Sequence, residues 1–219
     1  GTGMAGLALH GDLFPILQDH RQLVLEHRLE SVKILPPNGF PPNDPQSYGS
    51  ITQSAVARAE INNPERMRVF CTAVTNEGVS GARASTWSAA VDQASFGLMP
   101  ADEDEGPKRL FVISAGNIPA EIDTARLIDP GDAPIEDPAQ AWNALTIGGY
   151  TDKTDIEDAG YEDWTPMVEA GELSPFSRTS ITWPQGRSPF KPDLVMEAGN
   201  RAISPARTEA LTLDSLSLL

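Results

Sequence analysis

Apolar and polar positions along the chain predict a repeated order of strands and helices. Short apolar runs that are rich in branched side chains and bounded by polar or turn residues predict five buried strands, at residues 31–35, 68–75, 109–114, 144–148 and 194–196. Small and apolar residues spaced by three and four predict helices over residues 51–61 and 85–94. This order predicts an α/β fold: a doubly wound, mostly parallel sheet with helices on both faces.

The first nine residues are almost all small or apolar, which predicts a buried helix. A buried helix with no polar cap before it is an unusual start for a domain, so we expect the sequence to begin inside a folded unit. Stretches dense in Pro, Gly and Asp predict turns and surface insertions at residues 36–45, 98–107 and 128–138. No repeat or domain boundary interrupts residues 1–219, which we expect to form one partial domain.

Composition places the chain among ordinary globular proteins, with 40% hydrophobic and 21% charged residues. No apolar run reaches the roughly 18 residues of a membrane helix, so no membrane association is expected. The single cysteine, Cys71, excludes an internal disulfide and Cys-based zinc clusters. It lies in an apolar run and is predicted to be a buried strand residue. A reducing compartment such as the bacterial cytoplasm is compatible with this composition.

Acidic residues outnumber basic ones by 31 to 16, and nearly all of the net charge of -15 arises within residues 101–174. Such a chain repels nucleic acid, so no nucleic-acid partner is expected. Solvated acidic loops that aid solubility are the favoured interpretation, ahead of attraction of basic substrates or cations. No cofactor is expected, and the residues give no indication of a structural calcium ion.

One candidate for chemistry follows the third predicted strand, where the sequence is Ser114-Ala115-Gly116-Asn117. Ligands of open parallel sheets bind beyond the carboxyl ends of the strands. An Asn amide among small residues at that place can donate a hydrogen bond to a developing oxyanion. From these four residues alone, a turn with Asn in a left-handed or Asx conformation is the stronger interpretation.

Motifs spread along the whole chain resemble the subtilase family (peptidase S8) in order and spacing. The opening Gly-Thr-Gly-Met-Ala-Gly resembles the family's helix start His-Gly-Thr-x-Val-Ala-Gly without the His. Residues 173–178 resemble its Ser-x-Phe-Ser segment, and Lys191-Pro192-Asp193 resembles the Lys-Pro-Asp strand. The predicted strand 68–75 and Ser114-Ala115-Gly116-Asn117 are similar to its substrate-cleft half. The chain thus resembles an internal piece of a subtilisin-like catalytic domain, truncated at both ends.

The resemblance implies a serine endopeptidase that acts on polypeptides by acyl transfer. In that family Ser attacks, His moves the proton, Asp orients the His, and an Asn, here Asn117, holds the oxyanion. A bacterial AAA-type ATPase partner is a further, weak implication. The resemblance places the cleft between two short segments, made of Ala73, Val74 and Thr75 on one side and Ser114, Ala115 and Gly116 on the other. The branched Thr75 is expected to narrow this cleft.

The resemblance also implies that the triad is not within these 219 residues. The catalytic His is expected directly before Gly1, the Asp strand upstream of it, and the Gly-Thr-Ser nucleophile motif beyond Leu219. We therefore expect this chain alone to be inactive. His10, His20 and His27 are interpreted as a helix end and surface residues, and Ser174, Ser177 and Ser180 as loop hydrogen-bonders.

Two alternatives from other functional classes stay open. One is a non-catalytic subtilase-like domain that binds peptides or acts as a scaffold. The other is a small-molecule binder of doubly wound fold, which requires that Asn117 face away from any cleft.

Overall fold

The structure, a computed structural model, describes residues 2–18, 24–76, 78, 83–102, 106–118, 132–184 and 186–218. Four helices lie within these ranges: α1 (Thr2–His10), α2 (Leu13–Gln18), α3 (Tyr48–Asn62) and α4 (Thr86–Phe96). The longer strands are β1 (Val69–Thr72), β2 (Leu110–Ser114), β3 (Leu145–Thr151) and β6 (Leu194–Glu197). The two-residue strands are β4 (Thr165–Pro166), β5 (Glu172–Leu173), β7 (Ala202–Ile203) and β8 (Ala210–Leu211).

A mostly parallel five-stranded sheet forms the centre of the structure. Strand β2 pairs in parallel with both β1 and β3, and β6 pairs in parallel with β3. Only β5 is antiparallel, against the end of β3. The predicted α/β fold with a mostly parallel sheet is therefore confirmed. The strands β4, β7 and β8 form a separate antiparallel sheet.

Helix α4 is the crossover between the parallel strands β1 and β2. Its start is fixed by Ser85, whose hydroxyl oxygen accepts a hydrogen bond from the Ser88 backbone N–H at 2.9 Å, and its end by Gly97 in a left-handed conformation. The buried Trp87 donates its indole N–H to the Thr52 hydroxyl of α3 at 2.8 Å. The crossover that residues 85–94 predict is thus present, and α3 packs against it.

The core lies between α4 and the central strands. Alternate residues of β2, Phe111 and Ile113, are buried against Val91 and Ala94 of α4. Because side chains of a strand alternate between its two faces, β2 presents this apolar pair to the helix while its backbone pairs with β1 and β3. The strand that carries the candidate site is therefore held on several sides.

Three predictions about the edges of the fold are wrong. Residues 31–35 form an exposed loop without ladder partners among the described residues, although their apolar side chains predict a strand. Helix α1 is present, but none of its described residues is buried. Cys71 is exposed, because β1 lies at an edge of the sheet and its residues alternate between exposed and half-buried. An apolar run gives no indication of whether a neighbour covers it.

None of the described helices is long and apolar enough to cross a membrane.

Candidate active site

Two short segments lie side by side beyond the carboxyl ends of β1 and β2. Strands β1 and β2 are parallel and in register from Val69 and Leu110 to Thr72 and Ile113. Residues 73–75 continue the first strand, and residues 114–116 complete and continue the second. The predicted cleft residues are therefore neighbours at the carboxyl end of the sheet, where α/β proteins bind ligands.

The six predicted cleft residues differ in what they present there. Ala115 is buried in the core, and the half-buried Val74 packs against the same core. Ala73 is exposed, and the remaining three are half-buried: Thr75, Ser114 and Gly116. In each segment, alternate side chains therefore lie on the same side at the carboxyl end of the sheet, as in any extended chain.

Asn117 directly follows the second segment, and its side chain is exposed. It follows Gly116, whose φ of 105° turns the chain in a way that favours glycine. The Asn117 backbone carbonyl accepts a hydrogen bond from Arg178 Nε at 2.8 Å. Its side-chain amide makes no hydrogen bond within the described part of the chain.

A buried segment that the sequence analysis assigned to a surface insertion crosses the ends of both strands. Ile135, Glu136 and Asp137 are each at most 3% exposed. The Glu136 N–H donates to the Ala115 carbonyl at 3.2 Å, and the Asn76 N–H donates to the Asp137 carbonyl at 2.8 Å. These bonds satisfy backbone groups that a loop normally exposes to water, which explains how a Pro-rich stretch is buried. The prediction for residues 128–138 is therefore wrong at 135–138, while 128–131 lie outside the described residues.

The Glu136 carboxylate contacts both segments of the cleft. The Thr75 hydroxyl donates to Glu136 Oε2. A Cβ atom on Gly116 would lie 2.7 Å from the same carboxyl group, so the carboxylate lies directly against the Gly116 backbone. Sequence reasoning missed Glu136, and the only local sign of its burial is the apolar Ile135 beside it.

Arg178 neutralises this carboxylate. Its Nη2 lies 2.6 Å from Glu136 Oε1, and its Nη1 donates to the Pro134 carbonyl at 3.3 Å. The same guanidinium holds the Asn117 carbonyl, as described above. One side chain therefore links the buried carboxylate to the turn that presents the Asn117 amide. Sequence reasoning also missed this role of Arg178, because its partner Glu136 is 42 positions away in the chain.

Asp137 fixes the crossing segment to the start of α4. Its Oδ1 accepts hydrogen bonds from the Ser85 hydroxyl and from Gln140 Nε2, the latter at 2.9 Å. Burial raises the pKa of Asp137, and these two hydrogen bonds only partly oppose that shift. The charged form is thus held in place at a cost to folding.

We expect the substitution Asp137→Asn to alter how stability depends on pH. The pKa of Asp137 is higher in the folded chain than in the unfolded chain, so the unfolded chain loses this proton at a lower pH. Burial of Asp137 therefore lowers the stability of the fold as pH rises from the unfolded pKa to the folded one. The asparagine lacks that loss, so the variant should gain relative to the wild type between about pH 4, near the ordinary Asp pKa, and neutral pH. Urea denaturation at several pH values measures this, with the exposed Asp163→Asn as the control for removing one charge. A difference between wild type and Asp137→Asn that is the same at every pH would contradict it.

Several of the other polar residues that could be mistaken for a catalytic centre have structural partners. His10 ends α1, and a ring nitrogen of His27 lies 2.6 Å from the Ala8 carbonyl. Ser174 donates to the Gly199 carbonyl at 2.7 Å, and Ser177 Oγ accepts from the Gly149 N–H at 2.9 Å. His20 lies outside the described residues.

No group of three or more potential ligands is placed to hold a metal ion in the ranges that the structure describes.

Comparison with known proteins assigns the chain at the level of a family. None of the curated proteins compared with it matches. The model of the subtilase family, Peptidase_S8, matches residues 1–218, which is essentially the whole chain. The mostly parallel α/β fold and the order of the motifs agree with this match. The chain belongs to the subtilase family of serine peptidases.

Proposed function

We propose that this chain supplies the substrate cleft and the oxyanion donor of a serine endopeptidase. The observation that carries the proposal is the position of Asn117: exposed, beyond the carboxyl end of β2, with no hydrogen bond to its amide among the described residues. An amide in that position can donate to the oxygen of a carbonyl group under attack. The neighbouring end of β1 provides the second side of the cleft, along which a peptide in extended conformation can lie.

The rest of the reaction requires a serine, a histidine and an aspartate that lie outside these two segments. A serine attacks the peptide carbonyl, a histidine accepts its proton and delivers it to the leaving amine, and an aspartate orients the histidine. Asn117 stabilises the charge on the carbonyl oxygen during both acyl-transfer steps. The contacts of Arg178 and Glu136 keep the Asn117 turn in place while this charge develops.

We expect the Asn117 amide to respond to a peptide that ends in a free carboxylate. Such a peptide mimics the acyl half of a cleaved substrate, and one carboxylate oxygen then occupies the oxyanion position. Titration of the ¹⁵N-labelled chain should shift the Asn117 side-chain NH₂ resonance, which the variant Asn117→Ala identifies by its absence. The exposed Asn143 provides a control resonance that should not move. An unchanged Asn117 resonance at peptide concentrations that saturate other shifts would contradict the proposed role.

The chain by itself should not hydrolyse peptides. The sequence contains no Gly-Thr-Ser nucleophile motif. His27, Ser174 and Ser177 have the partners described above. Incubation with casein or a fluorogenic peptide should therefore give no turnover. Turnover that a serine-directed inhibitor abolishes would show that the missing groups are present after all.

A non-catalytic peptide-binding or scaffold role is the second candidate, because the adjoining ends of β1 and β2 present the same surface to an extended peptide whether or not it is cut. A binding domain should also bind the peptide, but the shift of the Asn117 resonance should then not depend on a free terminal carboxylate. An Asn117 shift with a free-acid peptide and none with the matching C-terminal amide therefore favours the peptidase cleft. Equal shifts with both peptides favour the binding domain.

A further inference from the structure

The space between the two segments of the cleft is filled by an acidic side chain. The Glu136 carboxylate accepts from the Thr75 hydroxyl on one side and contacts the Gly116 backbone on the other. Its side chain is only 4% exposed. At this depth the cleft is therefore already occupied by the protein itself.

The charge of the Glu136 carboxylate is paired with that of Arg178. The Arg178 side chain is 13% exposed and lies within 2.6 Å of Glu136. The guanidinium also donates to the carbonyl oxygens of Asn117 and Pro134. Its stem is in place as well, because a Cβ on Gly116 would lie 2.8 Å from Arg178 Cδ. Among the described residues the guanidinium thus contacts oxygen atoms of Glu136, Asn117 and Pro134, and a ligand that entered here would have to displace it from them.

We propose that the Glu136–Arg178 ion pair is the floor of the cleft and restricts it to a small, uncharged side chain. The inference rests on the proposed function and adds the class of substrate: peptides with Gly, Ala or Ser before the bond that is cut. A long apolar side chain would have to displace the pair. A lysine or arginine would have to replace Arg178 as the partner of Glu136, and an acidic side chain would meet a carboxylate that already has its partners.

Two variants separate the size of the floor from its charge. Arg178→Met removes the cation and leaves Glu136 without its ion-pair partner, so a basic side chain of a peptide can take the place of Arg178. The double variant Glu136→Ala/Arg178→Ala removes both charges and the volume of both side chains. It leaves no unpaired charge, and it keeps the question testable if Arg178→Met fails to fold, which circular dichroism reports.

The test measures binding of three hexapeptides with free C-terminal carboxylates that end in Ala, Lys or Phe, by calorimetry on the 219-residue chain. The wild type should bind the Ala peptide roughly tenfold or more tighter than the other two, the scale on which a closed pocket discriminates by size. Arg178→Met should bind the Lys peptide about tenfold tighter than the wild type does. The double variant should gain a similar factor for the Phe peptide but not for the Lys peptide.

The outcomes distinguish this inference from the function on which it rests. Wild-type preference for Lys or Phe, or the same order of the three peptides in every variant, overturns the proposed floor and leaves the cleft intact. Failure of all three peptides to bind the wild type and both variants overturns the proposed cleft, and the floor with it.

Discussion

Replacing Arg109 with methionine should lower the free energy of unfolding by about 3–5 kcal/mol at neutral pH, the cost of removing one partner from a buried ion pair. The Arg109 side chain is 3% exposed, with Nε 2.7 Å from Glu60 Oε1 and Nη2 2.7 Å from Asp102 Oδ1. The hydrogen bond to Glu60 raises the pKa of Arg109 most. Burial lowers it, and the hydrogen bond to Asp102 raises it further, so the pKa stays above its usual range. Methionine keeps most of the volume but leaves two carboxylates without their cation.

The contacts of Arg109 also connect the start of β2 to the helices α3 and α4. Arg109 precedes β2, Glu60 lies in α3, and Arg109 Nη1 donates to the Ala94 carbonyl of α4 at 3.0 Å. Hydrogen bonding by Arg109 also holds the pKa of Asp102 below its ordinary value. A lowered carboxylate pKa contributes stability above the unfolded value, and that stability is lost as pH falls. The deficit of the variant should therefore narrow towards acidic pH.

Urea denaturation of wild type, Arg109→Met and Arg66→Met provides the measurement. Arg66 also pairs with a glutamate, Glu30, but its side chain is 47% exposed. Water screens such an exposed pair, so Arg66→Met should change stability far less than Arg109→Met. Equal effects of the two substitutions would show that burial does not determine the strength of the Arg109 network.

The central strands and the crossover helix were predictable because their signals are local. The runs that became β1, β2, β3 and β6 combine branched residues with bounding turns, and Ser85 supplies a cap directly before α4. Such patterns are set by a few neighbouring residues, so they can be recognised in the sequence alone. Residues 31–35 carry the same apolar pattern without a strand, since pairing depends on a neighbour that the local sequence does not specify.

The candidate site was predictable only in part for the same reason. Asn117 follows a strand that the sequence predicts, so its position at the edge of the sheet could be inferred. Glu136 and Arg178 belong to segments without a regular pattern, and their meeting depends on how two loops cross the ends of β1 and β2. The excess of acidic residues even argued for solvated loops, whereas Glu136 and Asp137 are buried with hydrogen-bond and ion-pair partners. Composition describes an average over the chain, so it does not indicate which individual acidic residues are buried.

The substitution Gly116→Ala should lower the free energy of unfolding by about 2–6 kcal/mol and weaken binding of peptides in the cleft. Two effects add. A side chain at a φ of 105° brings backbone strain of about 1–3 kcal/mol. The new methyl group would also lie 2.7 Å from the Glu136 carboxyl group and 2.8 Å from Arg178 Cδ, and relieving such crowding costs about 1–3 kcal/mol.

The variant Gly160→Ala separates these two effects. Gly160 has a φ of 90°, but a Cβ atom placed there meets nothing within 4 Å. It should therefore show the strain alone and leave peptide binding unchanged. If chemical denaturation gives the same loss for both variants, the carboxylate does not press against Gly116. A larger loss for Gly116→Ala, together with weaker peptide binding, places the Glu136–Arg178 pair directly beneath the turn that carries Asn117.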